Sequence, residues 1–417
     1  MTAAEAAVIL DLSRRQVLRL KRGYSVLGAA SLVHGNRGRP AAHALPEQTR
    51  RMIVSLARTD YLDASYAHLS ELLARDHQVV VSPKTVGRVL KQAGLAHAHS
   101  HRGPRKHRTR PRMTQEGVMA LMDASPFDWL ETRGPRLNLH GAIDDATGKV
   151  VGLYFASQEC TDGYLRVLWQ IATQHGLPAR IYTDRHTLFF SPRQLTPEEE
   201  VAGDKAELTQ FGLVLADLGV RHIKARSPQA KGRVERLWGT LQERLTLEMR
   251  IEGVSTMEEA NRFLPSFIAA HNQRFAVEAA NPNAAWRKAP PNNQLAFTIA
   301  IRHRRIASRG STISFEAKLW QLIREDGKPL PLPHQAVVVV TLMLDGHIRA
   351  LYNAKSYPMA LCDQPKQIKT VPEPKPVLKD NPANARKPAA DHPWKRNMVT
   401  NKQRGDIISV PFHARKG

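Results

Sequence analysis

Cysteine is nearly absent: Cys160 and Cys362 are the only two in 417 residues. Two cannot build a four-cysteine zinc site, and so few fit a reducing compartment. No apolar run is long enough to span a membrane, and no signal-peptide pattern opens the chain, so a cytoplasmic protein is expected. Acids are the scarcest class relative to their counterparts, 38 Asp and Glu against 61 Lys and Arg, which leaves a net charge of +23 and a pI near 10.3. A purely solvated basic surface is the plain alternative, but an excess this large points to a polyanion partner, nucleic acid above all. The excess sits at the ends. Residues 1–113 hold 20 basic against 7 acidic residues, and 363–417 hold 12 against 5, around a more balanced middle.

The N-terminal quarter reads as two small helical units. In 1–33, Ala3–Leu10 and a second helix capped by Ser13 form a helix-turn-helix pattern. Arg14, Arg15, Gln16 and Arg19 face outward, where they suit groove edges and phosphates, while Val17, Leu18 and Leu20 face in. A generic helical hairpin is the competing description. The first helix starts almost at Met1, which would leave the unit truncated, short of a supporting helix. Arg37-Gly38-Arg39-Pro40 has a shape that fits a narrow minor groove, though four residues equally make a basic linker. Residues 46–96 give a second helix-turn-helix, with helices over Pro46–Ala57, Ser65–Asp76 and 83–93. Ser82-Pro83 starts the last of these, which carries Lys84, Thr85, Arg88 and Lys91 outward. Two basic units in series make DNA the expected partner. Residues 97–113 are a basic linker whose histidines lack a nearby carboxylate, so an arm tracking DNA is favoured over a metal site.

From residue 114 to about 290 the pattern becomes α/β. Strands are expected at Val118–Asp123, Leu137–Ile143, Val150–Ala156, Ala179–Thr183 and Arg221–Ala225. Thr161 or Asp162 is expected to cap a helix through about His175, and helices are expected over Glu207–Leu218 and after the Ser227-Pro228 turn. Three antiparallel strands followed by alternating helix and strand indicate a mixed sheet with helices on its faces. Asp123 and Asp184 each fall at an expected strand end. Glu235 falls on the helix after the last strand, one turn past Lys231; a surface Lys231–Glu235 pair is the alternative use of that residue. Three carboxylates with little else around them are a site for hard cations, Mg²⁺ or Mn²⁺. Two such ions, roughly 3.5–4 Å apart, serve an in-line phosphoryl displacement.

These acids lie in recognisable surroundings: MDASPFDWL (122–130), IDDATGKVVG (143–152), YTDRH (182–186) and SPQAKGRVERLWGTLQERL (227–245). The blocks resemble those of DDE transposases with a retroviral-integrase-like core, and among insertion sequences those of the ISNCY group, from the N-terminus to about residue 355. The resemblance implies a ribonuclease H-like fold and two divalent metals held by Asp123, Asp184 and Glu235. Asp184 and Glu235 stand further apart than in many integrases, the excess lying in the acidic insertion 189–206. Asp144 and Asp145 are expected to shape the hairpin turn. Asp128 reads as a loop cap, and His186 as a loop residue or a phosphate contact. Lys231 and Arg233, with Arg226 behind them, stand at a helix start where phosphate binding is natural.

Beyond the core, Thr256–Phe275 reads as a helix that Pro265 should kink or split. His271 and Asn272 near its end are read as structural. Five short strands in 299–356 suggest a small β-barrel, and 363–417, with eight prolines, a basic disordered tail. The expected activity is that of a DNA transposase that binds the terminal inverted repeats of its element, cuts there and transfers strands, working as a homodimer or higher oligomer on DNA. The alternatives are a metal-dependent nuclease without strand transfer and a non-catalytic DNA-binding regulator derived from a transposase.

Overall fold

A computed structural model describes residues 1–33, 37, 44–95, 110–193, 207–225 and 232–362. The Arg-Gly-Arg-Pro segment apart from Arg37, the linker up to Thr109, most of the acidic insertion, Arg226, Lys231 and the tail 363–417 lie outside the described residues. Met1–Cys362 forms one compact unit.

Its centre is a five-stranded mixed sheet. β1 (Met119–Phe127), β2 (Leu137–Asp144) and β3 (Val150–Ala156) form an antiparallel meander; β4 (Arg180–Thr183) and β5 (Arg221–Lys224) add in parallel beside β1, giving the order β3-β2-β1-β4-β5. Side chains of successive strand residues alternate between two cores, as a pleat requires. Met119, Leu121, Leu139, Leu153 and Phe155 pack with helices α8 (Gly232–Ile251) and α9 (Met257–Phe275). Ala120, Met122, Ala142 and Val151 pack on the opposite face with α6 (Thr161–Gln174) and α7 (Gln210–Asp217). The free edge of β3 is closed by side-chain amides. Asn272 accepts from the Val150 amide at 2.7 Å and donates to its carbonyl at 2.8 Å, and Asn261 does the same for Phe155. An edge sealed in this way cannot recruit another strand.

Two helical boundaries differ from expectation. The N-cap of α6 is Cys160, whose Sγ accepts from the Gly163 amide, rather than Thr161 or Asp162. α9 runs unbroken through Pro265, held along its length by Leu264 and Phe267 in the core and by the two asparagines on β3. Packing on both sides of the proline outweighs the one hydrogen bond it removes.

The N-terminal region contributes α1 (Ala3–Ile9), α2 (Arg14–Leu27), α3 (Glu47–Arg58), α4 (Tyr66–His77) and α5 (Pro83–Gln92). Side-chain caps from Ser13, Ser65 and Ser82 start α2, α4 and α5. In α2 only Val17 is buried; Leu18, expected inside, is 49% exposed, because α1 is too short to cover it. Helices α3–α5 enclose Ile53, Leu69, Leu72, Val86 and Leu90, and Leu247 of α8 completes this cluster.

After α10 (Asn292–Thr298), a six-stranded sheet follows: β6 (Ala300–Ile306), β7 (Ile313–Phe315), β8 (Lys318–Leu322), β9 (Val337–Met343), β10 (Ile348–Tyr352) and β11 (Lys355–Leu361). The order is β6-β9-β10-β11-β8-β7, and β6 and β7 approach each other, so the sheet nearly closes into a barrel. Gln210 of α7 ties it to the central sheet region through both the amide and the carbonyl of Arg302.

Candidate active site

Asp123 lies in mid-strand, not at the strand end the sequence suggested. β1 continues to Phe127 because its antiparallel pairing with β2 runs on to Phe127↔Leu137. Its parallel pairing with β4, however, stops at Leu121↔Tyr182. Asp123 therefore stands where β1 and β4 part. Carrying that register two residues further sets Asp184, the first residue past β4, alongside Asp123. Both acids share the face of Leu121 and Tyr182, which is the face covered by α8.

α8 crosses this point and holds it. Trp238 Nε1–H donates to Asp123 Oδ2 at 3.1 Å, and one turn later Gln242 donates to Ser125 Oγ at 3.0 Å. Room for the indole comes from Gly141, which pairs with Asp123 across β2. A Cβ there would lie 2.8 Å from Trp238 Cη2 and 2.7 Å from Leu153 Cδ2. Glu235 is exposed and lies three residues, about one helical turn, before Trp238. Among the described residues, no three His, Cys, Asp or Glu side chains are gathered closely enough to hold a metal ion. By donor chemistry the three carboxylates suit a hard divalent cation.

Asp184 accepts from the His186 amide through Oδ1 at 2.9 Å, and His186 Nδ1 in turn accepts from the Leu188 amide, so the histidine shapes the loop. Arg185 donates to the Ala225 carbonyl and pins this loop to the end of β5. Beneath lies Tyr164, fully buried, with its hydroxyl donating to Glu159 Oε1 at 2.6 Å. Burial pushes the phenol far above its usual range, with Glu159 next and the charges of Asp123 and Asp184 adding to it. The fields of both aspartates thus meet at one hydroxyl. Sequence reasoning assigned no role here to Trp238, Gly141, Tyr164 or Glu159. A tryptophan on an apolar helix face and a glycine in a strand are ordinary packing signals until the register is known.

The other candidates separate into two groups. Arg14, Arg15, Gln16 and Arg19 are exposed on α2, and Lys84, Arg88 and Lys91 are exposed on one side of α5. Arg233 is not turned outward as a phosphate contact would be. It is 14% exposed and bonds Asp145 Oδ1 at 2.6 Å; burial lowers its pKa, with Asp145 acting in the other direction. Asp144 and Asp145 are both buried. Asp144 closes the hairpin turn as expected, accepting from the Thr147 amide and hydroxyl, each at 2.8 Å, and from the Gly117 amide at 2.9 Å. Asp128 is exposed and faces Arg136 at 3.6 Å.

No family model matches the chain. The transposase for insertion sequence IS1202 of Streptococcus pneumoniae is 32% identical over 381 residues, 83% of this chain and 80% of its own length. The protein y4bF of Sinorhizobium fredii, also named a transposase, is 32% identical over 371 residues, 88% of this chain and 79% of its own. Among solved structures, the HTLV-2 integrase catalytic core in complex with magnesium is similar over 40% of this chain and 92% of its own, at 16% identity and a TM-score of 0.28.

Proposed function

The chain belongs to the insertion-sequence transposases, and from that premise we propose that it cuts and joins DNA through Asp123, Asp184 and Glu235. What supports this assignment is that the parallel pairing of β1 with β4 ends at Leu121↔Tyr182, two residues before Asp123 and Asp184, and that the helix bearing Glu235 bonds Asp123 through Trp238. The mixed five-stranded sheet around them fits a ribonuclease H-like core. The three carboxylates would hold two Mg²⁺ or Mn²⁺ ions, which supply activation of the attacking oxygen and charge relief on the leaving one.

The chain's own groups set the carboxylates in place. Trp238 donates to one oxygen of Asp123, and the His186 amide to one oxygen of Asp184, so each carboxylate is oriented by a neighbouring donor. Water attacks the phosphorus at the element end and releases a 3′-hydroxyl. That hydroxyl then attacks a target phosphodiester, so one P–O bond forms for each that breaks and no covalent enzyme intermediate is needed. The exposed cations of α2 and α5, on units read as helix-turn-helix domains over 1–33 and 46–96, would hold the terminal repeats. The nearly closed barrel would add a further DNA or subunit contact, and joining two ends implies at least a dimer.

The test is a strand-transfer assay with Mg²⁺ and terminal-repeat DNA. Glu235→Gln should abolish joining while end binding persists. Full joining by that variant would refute the assignment, and products cut but never joined would identify a nuclease.

A further inference from the structure

The two aspartates of the hairpin turn divide their work. Asp144 alone satisfies the turn, taking the Thr147 amide and hydroxyl and the Gly117 amide. The carboxylate of Asp145 takes no part in it. Its Oδ2 accepts from the Met113 amide at 2.8 Å, and its Oδ1 accepts from Arg233 Nη1 at 2.6 Å and from Arg110. Arg233 Nη2 then donates to the Arg110 carbonyl, closing a ring of three residues from three separate segments. Arg112 lies against the same turn, donating to the Ala146 carbonyl at 3.2 Å. Asp145 is wholly buried, so its charge is committed to these partners.

Arg233 is the second residue of α8, and Glu235 is the fourth. A cation in the first turn of a helix faces the positive end of its dipole and is disfavoured there unless something offsets it. Asp145 is that offset. The same carboxylate also fixes Arg110 and Met113, the segment that leads from the N-terminal helices into β1.

We infer that Asp145 is a positioning residue of the active site: through Arg233 it anchors the first turn of α8 and so sets Glu235 opposite Asp123, and through Arg110 it ties that turn to the segment arriving from the DNA-binding units. The inference rests on the reading of Asp123, Asp184 and Glu235 as metal ligands. Groups one step behind metal ligands commonly alter metal affinity by about 10–100-fold.

The experiment is calorimetric titration of Mn²⁺ into the full chain without DNA, with thermal unfolding followed in parallel. Asp145→Asn, nearly isosteric, should weaken Mn²⁺ binding about tenfold. Arg233→Met leaves Asp145 paired with Arg110 and guards against a misfolded Asn variant. It should weaken binding comparably, and Arg233→Lys should recover part of the loss. Wild-type Mn²⁺ affinity in both Asp145→Asn and Arg233→Met, with Glu235→Gln impaired, overturns the positioning role and leaves the site reading intact. Wild-type affinity in Glu235→Gln overturns the site reading, and the positioning role with it.

Discussion

At the scale of single residues, the proposed site brings a tryptophan and a glycine against its acids. The Trp238–Asp123 bond joins an indole N–H to a carboxylate, and a hydrogen bond to a charged group contributes about 1.5–3 kcal/mol. Trp238→Phe keeps the ring's bulk and removes the donor. It should slow strand transfer roughly tenfold in single-turnover kinetics while leaving end binding intact. Gly141→Ala tests the same contact from the opposite strand. Its Cβ would sit 2.7–2.8 Å from Leu153 and Trp238, and overpacking of this kind costs about 1–3 kcal/mol, readable by urea unfolding. Neither residue was legible as functional in the sequence. Their importance follows from Asp123 pairing with Gly141 across β2, and register is a tertiary property. The three acids stand out in the sequence because each follows or occupies a recognisable element; their shared role is the proposal.

At the scale of elements, α8 serves three regions at once. Its first turn bears Arg233 and Glu235, its middle lays Trp238 and Gln242 on β1, and its last turns enter the cluster of α3–α5 through Leu247. Around that far end Glu71 of α4 takes Arg244 through both oxygens and Arg274 as well, while Glu248 takes His68 and Arg75. Leu247→Ala should cost about 2–4 kcal/mol and accelerate amide exchange across Tyr66–His77 more than across the central sheet. The extent of β3, and the caps at Ser13 and Ser82, could be read from the sequence because each depends on neighbours within a few residues. β11 could not. Pro358 interrupts its pattern, yet Pro358 pairs with Arg349 and offers its carbonyl to the Ile323 amide, using the acceptor that proline retains. The unbroken course of α9 through Pro265 was hidden for a similar reason: the contacts that sustain it come from β3, far away in sequence.

At the scale of the whole molecule, charge and buried histidines govern behaviour in solution. Burial holds His140, His222 and His271 at pKa values of about 4, below the ordinary 6.5. Between these values the unfolded chain binds protons that the folded chain refuses. Stability is therefore complete above about pH 6.5 and should decline by a few kcal/mol as pH falls toward 4, measurable as a falling denaturation midpoint. The exposed cations make an opposite demand on salt. Lys84→Ala and Arg88→Ala should each weaken binding to terminal-repeat DNA and reduce the salt-dependence slope by about 1. Loss of sequence preference in Arg88→Ala would assign that residue to base edges rather than phosphate.

Asp123 and Asp184, each two residues past the last β1–β4 pair, are proposed to do the chemistry. Single-turnover strand transfer with Mg²⁺ by Asp123→Asn and Asp184→Asn, each checked for wild-type unfolding and end binding, tests this most directly. Both variants should lose joining by about a thousandfold or more. Joining within a few-fold of wild type in either one would contradict the account.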